Sequence, residues 1–110
     1  MKIITWNVNG IRAVEKKDFC KWLSECGADV VCIQETKAKP EQLSENLISP
    51  EGYKSYWASA VKPGYSGTAI YSRTEPDKVE VLGDERFDSE GRVLMAYFGN
   101  LVVISAYFPN

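Results

Sequence analysis

Apolar and polar positions alternate along the chain in a pattern that changes period several times. Lys2 to Trp6 is a short apolar-rich run, and Asn7-Val8-Asn9-Gly10 follows it with turn-forming residues, so a strand is expected to stop there. From Ile11 the period lengthens. Ile11, Phe19, Trp22, Leu23 and Cys26 fall on one stripe at spacings near multiples of 3.6, with Glu15, Lys16, Lys17, Lys21 and Glu25 on the other side. This predicts one amphipathic helix, with Gly27 as its stop. Val30-Val31-Cys32-Ile33 is continuously apolar and β-branched, as expected of a strand covered on both faces.

The remainder reads mostly as strand. Pro40 to Leu47 suits a short helix with proline in its first turn. Tyr53 to Ala58, Gly67 to Ser72 and Val79 to Leu82 are strand candidates, and Pro63-Gly64 marks a turn. Arg92 to Phe98 and Leu101 to Tyr107 flank Gly99-Asn100, a two-residue hairpin signal. Leu101-Val102-Val103-Ile104 is again continuously apolar and is expected to be a central strand.

The first three elements imply a parallel pair joined by a right-handed crossover, so both strands end at one sheet edge. Ligand sites of open α/β sheets lie beyond such carboxyl ends. Asn7 and Asn9 follow the first strand, and Gln34 and Glu35 follow the second. Topology alone therefore brings two amides and a carboxylate together.

Composition narrows the chemistry. The chain has 110 residues, 45% hydrophobic and 25% charged, which suits one α/β domain with a real core. There is no histidine, which excludes a Ser-His-Asp or Cys-His site within these residues. Cys20, Cys26 and Cys32 lack a CxxC spacing, and we read them as reduced thiols of a cytoplasmic protein. No apolar segment is long enough to span a bilayer, and the first residues do not resemble a signal peptide, so no membrane is expected. The net charge is −2, but residues 1–40 hold seven Lys/Arg against five Asp/Glu; this basic part either can face phosphate or is an ordinary small asymmetry.

Taken one by one, the candidate residues keep bland alternatives. A carboxylate at a sheet's carboxyl edge suits a hard cation such as Mg²⁺, but Glu35 alone is better explained as a solvated loop residue. Asn7 and Asn9 offer amide donors and acceptors, or only shape a turn. Tyr107 offers a phenol, or only a packed ring. Lys62-Pro63-Gly64-Tyr65-Ser66-Gly67 can meet a nucleic-acid backbone, or is an ordinary turn.

A resemblance lifts the functional alternatives. Thr5-Trp6-Asn7-Val8-Asn9-Gly10-Ile11-Arg12-Ala13 resembles the opening of the exonuclease III-type apurinic/apyrimidinic (AP) endonucleases. Ala28-Asp29-Val30-Val31-Cys32-Ile33-Gln34-Glu35-Thr36-Lys37 resembles their metal-site signature. Gly64-Tyr65-Ser66-Gly67-Thr68-Ala69, Glu90-Gly91-Arg92-Val93 and Ala106-Tyr107-Phe108-Pro109-Asn110 follow in that family's order. Tyr97 departs from it, since relatives often carry an acidic residue there, and a structural role is expected.

The resemblance implies a Mg²⁺-dependent DNA-repair nuclease, with Mn²⁺ as a substitute, that cuts the phosphodiester 5′ of abasic sites in double-stranded DNA. It also implies a 3′-to-5′ exonuclease activity in some members. Glu35 would be the direct metal ligand and Asn9 would lie near the metal. Asn7 would orient the site, and Tyr107 would contact the scissile phosphate. Arg12, Lys37, Gly64, Tyr65 and Asn110 would lie along the DNA backbone. The implied fold is half of a four-layer α/β sandwich, a mixed and largely antiparallel sheet with helix on one face. Residues 1–110 would be the N-terminal portion of a single endonuclease/exonuclease/phosphatase-type domain, and the rest would supply the second sheet. The family's Gly-Asp-x-Asn segment, with its proposed base, and its terminal Ser-Asp-His are not among these residues. The chain is therefore expected to be a fragment, or one half of a split enzyme whose partner is the missing C-terminal half, and otherwise monomeric. A non-catalytic piece and a phosphatase of the same superfamily are the alternatives.

Overall fold

The computed structural model describes residues 1–109. Strands β1 (Ile3–Asn7), β2 (Val30–Gln34), β3 (Lys54–Ala58) and β4 (Thr68–Ser72) form one sheet in the order β1-β2-β4-β3. Strands β5 (Lys78–Val81), β6 (Val93–Phe98) and β7 (Leu101–Ala106) form a second sheet in that order. Helices α1 (Ile11–Glu15) and α2 (Phe19–Glu25) make the crossover from β1 to β2. The short helices α3 (Glu45–Ile48) and α4 (Glu85–Asp88) lie in the later connections.

The strand–helix–strand reading holds. β1 and β2 are parallel, with Ile3 beside Val30 and Asn7 beside Gln34. β2 is buried along its whole length because its two faces serve two cores. Val31 and Ile33 point into a core with Ile11, Phe19, Leu23 and Tyr71, beneath the helices. Val30 and Cys32 point the other way, against Ile70, Leu94, Ala96 and Val103. The second core lies between the sheets, so the order of layers is helix, sheet, sheet. This is the mixed α/β fold expected from the sequence.

Three details differ. The expected single helix is two, because the chain turns at Asp18 (φ 66). Lys17 N and Asp18 N close the first helix on Val14 O and Glu15 O, and Trp22 N opens the second on Asp18 O. The stripe nevertheless stays continuous in space: Trp6, Phe19 and Trp22 stack with centroids 4.9–5.9 Å apart. The expected helix from Pro40 to Leu47 is a 3₁₀ turn at Pro40–Gln42 followed by α3, with Leu43 and Ser44 extended between them.

The third difference concerns the second sheet, part of which lies in this chain rather than wholly beyond it. β7, expected to be central, is at the edge of that sheet among the described residues. Val103 and Ser105 face inward, while Leu101, Val102 and Ile104 are exposed. Continuous apolarity shows that both faces of a strand are apolar; it does not fix the strand's place in the sheet. Tyr97 behaves as surface structure, with Lys78 Nζ 4.5 Å above its ring and its hydroxyl on Glu80.

The buried Cys32 makes stability depend on alkaline pH. Burial pushes its thiol up from 9.0 to about 11, so the folded chain holds that proton more tightly than the unfolded chain. Its contribution is complete below pH 9 and is lost as pH rises toward 11. Urea midpoints measured from pH 8 to 11 are expected to fall by the equivalent of about 1–2 kcal/mol from this group. Cys32→Ala should remove that part of the slope, leaving the part due to the other groups pushed up in the fold, among them the buried Tyr71 phenol.

Candidate functional site

Beyond β2 the backbone is threaded between two loops. Val8 N, Gly10 N and Ile11 N donate to Gln34 O, Glu35 O and Thr36 O at 3.1, 2.7 and 3.0 Å. On the other side Thr36 N and Lys37 N donate to Gly67 O and Ser66 O at 3.2 and 2.8 Å. Of the five described non-glycine residues with positive φ, four lie here: Asn9, Glu35, Lys37 and Ser66. Each costs on the order of 1 kcal/mol, so unfavourable backbone is concentrated where β1 and β2 end. The loops fit closely as well, since a Cβ on Gly67 would lie 2.2 Å from Thr36 Oγ1.

Five of the expected residues meet at this edge. Asn7 Nδ2 donates to Glu35 Oε1 at 2.9 Å, and Asn7 Oδ1 accepts from Asn9 N at 3.0 Å. The amide thus fixes the carboxylate with one end and its own loop with the other. Lys37 Nζ donates to Asn9 Oδ1 at 2.6 Å and lies 3.6 Å from Glu35 Oε2. Arg12 Nη2 donates to Lys37 O at 3.3 Å.

Tyr107 reaches the same place from the second sheet. Its N donates to Arg92 O at 2.8 Å. Partial removal from water, then the charges of Glu35 and Tyr65, push its phenol up, so it remains a proton donor through neutral pH. Tyr65 shares its turn with Gly64 (φ 67), and Lys62 Nζ lies 5.1 Å from its ring centroid. Asn110 lies outside the described residues.

Sequence reasoning missed the bridge beneath these groups. Ser105 Oγ donates to Ile33 O at 3.1 Å and accepts from Gln34 Nε2 at 3.1 Å, and Gln34 Nε2 also reaches Thr5 Oγ1 at 2.9 Å. This polar contact ties β7 to β1 and β2, one residue before Glu35 and two before Tyr107. The available signal was a serine at an inward position of an apolar strand. Ser105→Ala is expected to cost about 1–2 kcal/mol in a urea titration, because Gln34 loses a buried acceptor.

The oxygens that converge here suit a cation. Asn9 Oδ1 and Glu35 Oε2 both face the Lys37 ammonium, which stands in for a positive ion. One carboxylate and one amide oxygen match a hard divalent cation that keeps several waters. Among the described residues no group of three His, Cys, Asp or Glu offers a fuller set.

Comparison with known proteins agrees with this architecture. The model of the Endonuclease/Exonuclease/phosphatase family matches residues 4–109. Exodeoxyribonuclease of Bacillus subtilis (strain 168) is 49% identical over all of this chain and 43% of its own length. DNA repair nuclease APEX1 of Danio rerio is 42% identical over all of this chain and 36% of its own length. The Xenopus laevis APE2 catalytic domain superposes with a TM-score of 0.82 at 30% identity, covering 100% of this chain and 46% of that one. An AP endonuclease from Archaeoglobus fulgidus superposes at 0.79 with 33% identity, covering 94% and 40%. The chain thus spans less than half the length of these relatives. With the family model matched along nearly its whole length, the chain belongs to the endonuclease/exonuclease/phosphatase family, on the side of the exonuclease III-type AP endonucleases.

Proposed function

We propose that this chain carries part of the active site of a DNA-repair nuclease that hydrolyses the phosphodiester 5′ of abasic sites in duplex DNA. The activity depends on Mg²⁺, with Mn²⁺ able to replace it, and extends to 3′-to-5′ exonuclease action. The observation that carries the reading is the Glu35 carboxylate, held by Asn7 at the shared ends of β1 and β2 beside Asn9 and close to Tyr107. The relatives, among them an exodeoxyribonuclease and AP endonucleases, support the substrate class.

Glu35 and Asn9 would hold the ion. A divalent ion there supplies positive charge to the phosphoryl and leaving oxygens. Asn7 keeps the carboxylate aimed, because its Nδ2 engages Oε1 and leaves Oε2 turned toward Lys37 Nζ, 3.6 Å away. The Tyr107 phenol, kept protonated, donates to a phosphoryl oxygen as negative charge develops. Arg12, Lys37, Gly64, Tyr65 and Asn110 line the DNA backbone. The base that activates water comes from outside this chain. The protein acts as a monomer in the cytoplasm; its three cysteines are free, which suits a reducing compartment. Among the described residues no helix is long and apolar enough to cross a membrane.

Incision of a 5′-labelled duplex with one abasic site tests this reading. The expected product ends in a 3′-hydroxyl immediately 5′ of the site, and chelation by EDTA stops its formation. Cleavage on the 3′ side, cleavage unaffected by EDTA, or release of phosphate from small phosphoesters alone would overturn it.

A second reading has its own support. Among the described residues no group of three His, Cys, Asp or Glu completes a metal site, and the outer face of the second sheet leaves Val102 and Ile104 exposed. Both suit a chain that is non-catalytic by itself and complements a C-terminal segment like that of its longer relatives. Incision by the 110-residue chain alone would exclude this reading. Incision only after mixing with such a segment would establish it.

A further inference from the structure

Lys37 stands where a bound cation belongs. Its Nζ lies 2.6 Å from Asn9 Oδ1 and 3.6 Å from Glu35 Oε2, and Asn7 already occupies the other carboxylate oxygen. The ammonium therefore meets the two oxygens assigned above to the metal.

The two ends of this residue differ in freedom. Its backbone is held on both sides: N donates to Ser66 O at 2.8 Å, O accepts from Arg12 at 3.3 Å, and φ is 55. Its side chain is 37% exposed, so the four-carbon arm can swing into solvent without disturbing the loop. A divalent ion and an ammonium cannot share two oxygens a few ångströms apart, since like charges repel strongly at such short range in partly desolvated surroundings.

We propose that Lys37 is a built-in placeholder cation. With no divalent ion bound, its ammonium keeps Glu35 and Asn9 aligned and limits their mutual repulsion with neighbouring oxygens. Binding of the ion displaces the arm, so Lys37 competes with the metal and lowers its affinity. The displaced ammonium is then free to turn toward an anion such as a DNA phosphate. Pre-alignment and competition come from one side chain, which sets the ion's affinity within a site that needs exchange with solvent. This inference rests on the metal-site reading of Glu35 and Asn9.

Mn²⁺ titration of the purified protein, read from the electron paramagnetic resonance signal of free Mn²⁺, tests both without an activity assay. Lys37→Met keeps the length and backbone of the residue and removes its charge; Lys37→Gln is a second variant. Both are expected to bind Mn²⁺ roughly five- to tenfold more tightly than wild type, the scale of one partly exposed ion pair lost plus one repulsion relieved. Glu35→Gln is expected to weaken binding at least about tenfold, since it removes the one charged ligand. If both Lys37 variants bind no more tightly than wild type while Glu35→Gln still weakens binding, the placeholder is wrong and the metal site stands. If Glu35→Gln leaves Mn²⁺ binding unchanged, the metal-site reading falls and takes the placeholder with it.

Discussion

In any preparation where this chain supports incision of abasic duplex DNA, Glu35→Gln is expected to lower the single-turnover rate about a thousandfold, the scale of losing a preorganised charge at a phosphoryl-transfer site. Glutamine keeps the shape of the side chain, and its amide oxygen can still accept from Asn7 Nδ2, now 2.9 Å from Oε1. What disappears is the negative charge on the oxygen that faces the cation position. Stability should change by less than about 1 kcal/mol, because the Lys37–Glu35 pair lies near solvent. The two effects separate chemistry from folding. An incision rate within about fivefold of wild type, with the urea midpoint unchanged, would remove Glu35 from the site.

Gly91→Ala has the largest expected effect on folding. Gly91 has φ 59, and an added Cβ would lie 2.3 Å from Ala58 O and 2.8 Å from Ala58 C and Ser59 C. These atoms are backbone at the end of β3, so no side chain can rotate away. The neighbourhood is also tied down: Thr68 Oγ1 donates to Gly91 O at 3.0 Å, Gly67 N to Glu90 O at 3.3 Å and Val61 N to Ser89 O at 2.8 Å. Relief of the overlap must break some of these contacts, and the expected cost is about 3–5 kcal/mol. That is a large part of a domain's usual stability, about 5–15 kcal/mol. Gly99 is the control. Its φ is 60, almost the same, but nothing lies within 4 Å of its Cβ position. Gly99→Ala should therefore cost only about 1 kcal/mol, from backbone conformation alone. Equal losses in the two variants, read from urea titrations, would show that close approach is not what requires glycine at position 91.

The same contrast explains how much could be read from the sequence. The strand–helix–strand unit was legible because its periods are local: Val30–Ile33 is short and apolar, and the Ile11-to-Cys26 stripe repeats at helical spacing. Once the unit is parallel, Asn7 and Glu35 must share an edge, and the 2.9 Å bond between them follows that topology. The Gly99-Asn100 hairpin was legible for the same reason. The break at Asp18 was not, since a helical stripe survives when two short helices are set end to end. Nor was the free edge of β7, because pairing and coverage depend on segments far away in sequence.

The site divides in the same way. Glu35, Asn7 and Asn9 follow from which strands end together. The Ser105–Gln34 bridge joins positions 71 residues apart, and no local pattern points to it. The placement of Lys37 on Asn9 Oδ1 depends on left-handed backbone at three residues, Asn9, Glu35 and Lys37, and only the first is a residue type that adopts it readily. Folded geometry, rather than motif order, places this lysine against Asn9 and Glu35.

The central claim is that a divalent ion sits on Glu35 at the common end of β1 and β2, facing Tyr107. Crystals of the protein with bound DNA, soaked in Mn²⁺ and measured at the manganese absorption edge, locate that ion directly. The account predicts an anomalous peak in coordination contact with Glu35 and on the Tyr107 side of the carboxylate. A well-occupied peak elsewhere, in crystals whose DNA is cut, would contradict it.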